Sequence, residues 1–278
     1  MQILDQEGKV VEEWVSKKEA HVVYALAPGE YILHEEQAPT EQGYVRAEDV
    51  KFVVEETGDV QKVKMEDDHT KVSISKTDIT DGKEIEGAKL QILDQDGEVV
   101  ESWTTGEEHL IEYLPVGTYT LHEEAAVDGY IVANDVEFTV EETGEIQKVK
   151  MEDERAMGQL VIVKTDTDSK AALEGVEFVL LEKETGKEVG RLKTGKDGKA
   201  VSELLPIGTY ENGVFKEPIT YVLKETATLK GYEKTEEEWE IVFTYQNDKT
   251  PVIEVVKEIQ NKKNTRNTRY RKTRTKNG

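Results

Sequence analysis

The chain has 278 residues, of which 36% are hydrophobic and 34% are charged, and its formal net charge is -23. This length is enough for two or three small domains, each with a core of its own. The acidic balance argues against nucleic acid as a partner of the body of the protein. Cysteine is absent, which excludes disulfides, a thiol nucleophile and a cysteine-ligated metal. No stretch is apolar for long enough to predict a membrane span, and the N-terminus does not predict a signal peptide.

Two long segments of the chain occur twice. QILDQEGKVVEEW from Gln2 matches QILDQDGEVVESW from Gln91, and VEETGDVQKVKMEDD from Val54 matches VEETGEIQKVKMEDE from Val140. The spacing is roughly 86 to 89 residues, which is the size of a whole domain and too long for a solenoid unit. We therefore predict an array of domains with bounds at 1–69, 70–156 and 157–263, followed by a tail at 264–278.

The first repeat is incomplete. About twenty residues of the second repeat, Lys71 to Leu90, have no counterpart before Met1, so the first strand and its lysine are missing. We expect Met1 to be an internal point of a longer protein. At the other end, the tail is basic and lacks apolar periodicity, which predicts a disordered linker, with a polyanion-binding arm as the alternative.

The second repeat carries seven strand patterns, separated by turn signals such as Asp96-Gly97 and Asp128-Gly129. They begin at Val72, Ala88, Val99, His109, Thr118, Asp135 and Ile146. Short alternating strands with turns every eight to twelve residues predict an all-β sandwich, and no helix is predicted. The third repeat follows the same plan but is more diverged, with the insertion ENGVFKEP ahead of Tyr221.

A glutamate recurs within an apolar strand of each repeat. Glu35, Glu123 and Glu225 each lie two residues after a leucine in a Tyr-x-Leu frame, and each is followed by a Gly-Tyr pair. Alternation points this glutamate to the same face as the tyrosine and leucine, which is the predicted core. Burial there would raise the carboxyl pKa. A solvated glutamate at a strand end is the alternative, but the threefold recurrence favours a repeated buried acid.

Two other polar residues recur at strand positions. Lys76 in SISKTD and Lys164 in VIVKTD are in phase with inward-facing apolar residues, and a buried lysine loses its charge readily and becomes a nucleophile. A lysine that extends its amine to solvent is the alternative. An acid or amide ends the last strand of each repeat at Asp67, Asp153 and Asn261, although a slip of one residue would turn this side chain to solvent.

The combination of a first-strand lysine, a middle-strand glutamate and a last-strand Asp or Asn resembles the Cna B-type, SpaA-like domains of Gram-positive pilins and surface adhesins. The block YTLHEEAAVDGY from Tyr119 is similar to the pilin E-box, although Glu124 replaces its threonine and Val127 its proline. The resemblance covers nearly everything from Met1 to about Lys263. It implies tandem prealbumin-like (Ig-like) β-sandwich domains, the first of which lacks its N-terminal strand.

The resemblance also implies intramolecular isopeptide bonds, in which the lysine amine attacks the Asp or Asn side-chain carbonyl with the help of the glutamate. Water would leave from an Asp and ammonia from an Asn. Carried over by position, the expected sites are Lys76 with Asp153 and Glu123, Lys164 with Asn261 and Glu225, and an incomplete set of Glu35 and Asp67 without a lysine.

The sequence therefore predicts structural stalk repeats of an extracellular, cell-wall-associated bacterial protein, with neighbouring domains of a larger surface protein as partners. Self-linking is a single turnover, so no enzyme is predicted. No cofactor is expected, and without histidines and carboxylates at ligand spacing no metal site is expected. The alternative from another class is an adhesin module that binds a host matrix protein or a glycan through its loops.

Overall fold

The computed structural model describes residues 1–264, which form two compact units. The first unit contains Met1–Lys76, Lys89–Glu124 and Asn134–Met151. The second contains Thr77–Ala88, Ala125–Ala133 and the described residues from Glu152 onward. The described residues are almost entirely strands and turns, so the all-β prediction is confirmed. No helix within residues 1–264 is long and apolar enough to span a bilayer.

The first repeat forms one complete sheet and one small one. Four antiparallel strands have the order β2-β1-β3-β5, while β4 pairs only with β6, and a 3-10 turn at Thr40–Gln42 precedes β4. The strands are β1 (Gln2–Leu4), β2 (Val10–Glu13), β3 (Gly29–His34), β4 (Tyr44–Val45), β5 (Val50–Val54) and β6 (Asp68–His69).

The second repeat contributes two four-stranded sheets, with the orders β13-β11-β8-β9 and β10-β7-β14-β12. All seven predicted strands of this repeat form, and the short strand β12 is additional. The strands are β7 (Lys71–Asp78), β8 (Lys89–Leu93), β9 (Val99–Thr104), β10 (His109–Glu112), β11 (Gly117–Ala125), β12 (Tyr130–Ile131), β13 (Val136–Val140) and β14 (Ile146–Arg155).

The third repeat lies wholly in the second unit and has three sheets. One has the order β18-β15-β19 with β24 also on β15, another has the order β17-β16-β22-β23, and β20 and β21 form a hairpin from the inserted segment. The strands are β15 (Met157–Asp166), β16 (Glu177–Glu182), β17 (Glu188–Lys193), β18 (Lys199–Val201), β19 (Leu205–Pro206), β20 (Gly208–Glu211), β21 (Val214–Pro218), β22 (Thr220–Ala227), β23 (Glu238–Val242) and β24 (Val252–Asn261).

Strand alternation determines the core of the third repeat. Along β15 every second residue is buried, from Gly158 to Asp166, because strand side chains point alternately to the two faces. The buried face packs against β16 and β22, whose Phe178 and Leu223 are at most 1% exposed. This face also carries Lys164, so the fold places an ionisable amine inside an apolar core.

The first repeat shows what the missing strand does to its last strand. Residues 55–67 form no strand, although the nearly identical sequence of the second repeat forms β14. In the third repeat the last strand β24 pairs in parallel with the first strand β15 over ten residues. The first repeat has no first strand to supply these hydrogen bonds, so the same residues remain irregular.

Candidate functional site

In the third repeat, three predicted site residues come together from three strands. Lys164 lies near the end of β15, Asn261 ends β24 and Glu225 lies on β22. The parallel register aligns Lys164 with Ile259 and Asp166 with Asn261, which puts the lysine and the asparagine on one face, two residues apart. Strand β22 faces them from the other sheet with its glutamate turned inward, as the alternation predicts.

The polar atoms of this set are in direct contact, through two hydrogen bonds and one ion-pair contact. The Lys164 Nζ lies 2.6 Å from Asn261 Oδ1 and 3.0 Å from Glu225 Oε2. The Asn261 Nδ2 donates to Glu225 Oε1 at 2.7 Å. Lys164, Glu225 and Asn261 are 0%, 4% and 2% exposed, so this is a buried polar triad. The alternative of a lysine that reaches out to solvent does not describe this residue.

The surroundings of Lys164 favour its neutral form. Burial lowers the pKa of this amine, and the hydrogen bond and the charge of Glu225 oppose that effect without cancelling it. The amine lies 5.9 Å from the centre of the Phe178 ring, which forms an apolar wall of the site. A neutral amine has a free electron pair, so the site holds a potential nucleophile against an amide carbonyl.

Thr228 also belongs to this site, although the sequence did not single it out. Its Oγ1 accepts a hydrogen bond of 2.8 Å from Asn261 Nδ2. An asparagine amide has two N–H donors, and here Glu225 takes one and Thr228 takes the other. The equivalent residue of the second repeat is Ala126, and the corresponding target, Asp153, has no amide donor to satisfy. The sequence signal for this residue was therefore a threonine in the repeat whose target is asparagine and an alanine in the repeat whose target is aspartate.

In the second repeat, the structure brings the predicted lysine and glutamate together. The Lys76 Nζ lies 3.0 Å from Glu123 Oε2, and the two side chains are 1% and 0% exposed. Asp153 on β14 is fully buried, so its side chain points inward, whereas the adjacent Glu154 is exposed. Both residues of the ion pair are thus inside the core, and the pairing of Lys76 with Asp153 remains a prediction.

The first repeat places Glu35 in the interior and Asp67 at the surface. Glu35 is 4% exposed, and its Oε2 accepts a hydrogen bond of 2.8 Å from the backbone N–H of Ala47. Burial raises the pKa of Glu35, and the nearby charge of Asp67 raises it further against the opposing Ala47 hydrogen bond. Asp67 is exposed because it lies in the irregular segment before β6, where no first strand fixes its register.

Comparison with known proteins gives the family. The SpaA prealbumin-like fold domain matches residues 1–69, 70–155 and 158–259. A search of curated proteins found no match.

Three solved structures are among those similar to this chain. The Bacillus anthracis TIE protein is 30% identical over 86% of this chain and 43% of its own length, with a TM-score of 0.53. A streptococcal ancillary pilin is 19% identical, over 87% of this chain and 77% of its own, with a TM-score of 0.32. The shaft pilin SpaA of Lactobacillus rhamnosus GG is 15% identical, over 70% of this chain and 98% of its own, with a TM-score of 0.28.

The chain thus spans less than half the length of the TIE protein that it matches. The three family matches together cover almost all the residues from Met1 to Ile259. The chain therefore belongs to the family of SpaA prealbumin-like fold domains.

Proposed function

We propose that this chain is a stalk segment of a bacterial surface protein whose domains are locked by self-formed isopeptide bonds. The observation that carries the proposal is the buried contact of the Lys164 amine with the Asn261 side chain and the Glu225 carboxyl group. A buried lysine with a lowered pKa does not stabilise the domain as a charged group, because removing its charge from water costs free energy. Its position against an amide fits a reaction instead.

The bond-forming step can be written with the atoms at hand. The Nζ of Lys164 attacks the Cγ of Asn261, the new Nζ–Cγ bond forms, and the Cγ–Nδ2 bond breaks to release ammonia. The two oxygens of Glu225 lie beside the two nitrogens, Oε2 at 3.0 Å from Nζ and Oε1 at 2.7 Å from Nδ2. This carboxyl group can therefore take a proton from the attacking amine and deliver one to the leaving nitrogen.

The same chemistry is proposed for the second repeat, with Asp153 as the target. Here Lys76 would attack the Asp153 carboxyl group, Glu123 would move the proton, and water would leave. The close contact of Lys76 with Glu123 in a dry environment supports these two roles. Each domain would react once and then remain linked, so the outcome is a matured structural protein and not catalytic turnover.

The proposed location and partners follow from the same role. A linked stalk is of use outside the cell, where mechanical and proteolytic stress act on a surface protein and where this cysteine-free chain can form no disulfides. We therefore propose an extracellular, cell-wall-associated protein in which these domains hold other domains away from the surface.

Intact-mass measurement of the folded protein tests the proposal. We expect the mass to be lower than that of the sequence by one water and one ammonia. Lys76→Ala should restore only the water, and Glu225→Gln should restore only the ammonia, so each variant is the control of the other. An unmodified mass for the folded wild-type protein would refute the proposal.

A further inference from the structure

The loop after each recurrent glutamate ends in a Gly-Tyr pair, and we call the surface formed by this pair the pole of its repeat. The pairs are Gly43-Tyr44, Gly129-Tyr130 and Gly231-Tyr232. All three glycines have positive φ angles, of 77°, 90° and 90°, in the left-handed region that favours glycine. The glycines of the three poles therefore share one backbone conformation.

A tyrosine of the second repeat covers the first pole, within the first unit. The rings of Tyr44 and Tyr113 meet edge to face, with centroids 5.4 Å apart and planes at 69°. His69 stacks on the other side of Tyr113, at 4.0 Å and 12°. Gly43 is buried, and a Cβ added there would come within 2.3 Å of the Tyr113 backbone. Only glycine fits this close approach.

A tyrosine of the third repeat covers the second pole, within the second unit, in nearly the same geometry. The rings of Tyr130 and Tyr210 meet edge to face at 5.2 Å and 70°. The guanidinium of Arg155 lies 4.1 Å from the centre of the Tyr210 ring. The Tyr210 hydroxyl donates to the Gly129 carbonyl oxygen at 2.8 Å, and a Cβ on Gly129 would meet that hydroxyl at 2.8 Å.

The two covering tyrosines come from different parts of their repeats. Tyr113 directly precedes the Leu-Pro-Val-Gly-Thr segment, whereas Tyr210 follows Leu-Pro-Ile-Gly-Thr and lies on β20, just before the insertion. The side chain on the far side of the covering ring has the same place in both joints, since His69 and Arg155 each lie two residues after the target position, at Asp67 and Asp153. Two different positions thus place a tyrosine ring between the tyrosine of the Gly-Tyr pair and the side chain two residues after the target position.

The third pole has the same parts, but no ring within residues 1–264 covers it. Gly231 is exposed, and a Cβ added there would meet nothing within 4 Å among the described residues. Lys263 occupies the position that corresponds to His69 and Arg155, two residues after Asn261, and its Nζ lies 5.8 Å from the ring of its own Tyr232. Burial and the neighbouring Asp166 raise the pKa of the Tyr232 hydroxyl, while in the second repeat the Tyr130 hydroxyl donates a hydrogen bond of 2.8 Å to Asp78.

We propose that Gly231, Tyr232 and Lys263 form a docking site for a tyrosine of another prealbumin-like module that follows in tandem. We call the surface that carries this tyrosine, at the position of Tyr113 or Tyr210, the base of the module. The incoming ring would pack edge-on against Tyr232 and under the Lys263 amine, where cation–π attraction adds to apolar contact. The inference rests on the two occupied joints and is independent of isopeptide chemistry.

A tandem module fits the site better than a second copy of this chain. In the first repeat, the position of Tyr113 is taken by Ala25, and the two residues share a left-handed backbone with φ of 62° and 61°. The base of the first repeat therefore offers no ring at this position. Head-to-tail association of two copies is not expected.

The test extends the chain by joining a second copy of residues 156–278 directly after Lys263, which reproduces the connection that follows Arg155. The added copy carries Tyr232→Phe, so that only the original Tyr232 is counted. We expect nitration of Tyr232, measured by peptide mass spectrometry, to be at least about tenfold slower in the extended chain than in the original, as for a buried ring. Tyr130, which is fully buried, is the internal reference.

A matched variant isolates the anchor. Tyr210→Ala in the added copy alone should return Tyr232 to its original nitration rate. With Trp14→Phe, Trp103→Phe and, in the original repeat only, Trp239→Phe as the background, tryptophan emission shows that the added module is folded. In a second extended chain the added module is residues 70–156, in which Tyr113 is the covering ring, and slower nitration of Tyr232 is expected there too. Equal nitration of Tyr232 with and without a folded added module would overturn the proposal, as would self-association of the unextended chain that Lys263→Ala abolishes.

Discussion

Removal of the proposed Lys164–Asn261 bond should lower the stability of the third domain by a predictable amount. The two residues are 97 positions apart, so the bond closes almost the whole domain into a loop. By the loop-closure estimate for cross-links, a loop of about 100 residues contributes about 4.7 kcal/mol through the unfolded state. For a domain of roughly 100 residues, each kcal/mol corresponds to about 4 °C, so the unlinked domain should melt about 20 °C lower.

Tryptophan fluorescence can follow this domain alone. The chain has three tryptophans, and Trp239 is the one in the third repeat, where it is 8% exposed. With Trp14→Phe and Trp103→Phe as the background, emission of Trp239 reports thermal unfolding of the third domain. The unlinked protein is Glu225→Gln, which keeps the shape of the side chain and removes the proton carrier, with the absence of the bond verified by mass.

A second variant separates loop closure from the buried amine. Lys164→Met in the Glu225→Gln protein is also unlinked but has no amine to desolvate, so both unlinked proteins should melt far below the linked one if loop closure dominates. A melting temperature of both variants within about 5 °C of the linked protein would refute the entropic reasoning. A large drop in the single variant only would assign the effect to the buried amine.

Three further predictions concern pH and the target amide. In unlinked Glu225→Gln, the free energy of unfolding by urea should rise with pH up to the ordinary lysine pKa of 10.5. The reason is that Lys164 of the unfolded protein retains a proton that the buried amine has lost. Adding Lys164→Met should remove this pH dependence. Thr228→Val should slow ammonia loss in a refolding time course followed by mass, while Ala126→Thr should leave water loss unchanged. Since burial raises the pKa of Glu35, stability of the first repeat should fall as pH rises above 4.5, and Glu35→Gln should flatten this dependence.

The sequence was sufficient for the strands and for the inward direction of the polar side chains. Period-two alternation is a local signal, and it placed Lys164 and Glu225 on buried faces before their neighbours were known. It could not establish the partners, because the distance from Lys164 to Asn261 depends on the parallel register of β15 and β24, which is set across 97 positions. The recurring lysine, glutamate and Asp or Asn indicated that Lys164 and Asn261 are partners only through the resemblance to a known family.

Other features depend on contacts that no local pattern encodes. Residues 55–67 have the same strand-like sequence as β14 but remain irregular, because a strand needs a partner for its backbone hydrogen bonds. The role of Tyr210 was equally hidden, since it matches Tyr119 in sequence and directly precedes the insertion, whereas the ring that it resembles in position is Tyr113. Thr228 was not singled out, because its role depends on the amide that it contacts.

The parallel pairing of β15 with β24 determines how the third domain would respond to a pull on its ends. The domain enters at Met157 and leaves at Asn261, at opposite ends of two adjacent parallel strands, so a pull shears all ten residue pairs together instead of peeling them one by one. With the proposed bond in place, the load would pass from Asn261 into Lys164 and along only seven residue steps to Met157. The 97 residue steps between Lys164 and Asn261, which could extend to roughly 350 Å, would carry no load. The linked domain would therefore act as a nearly inextensible segment of fixed length.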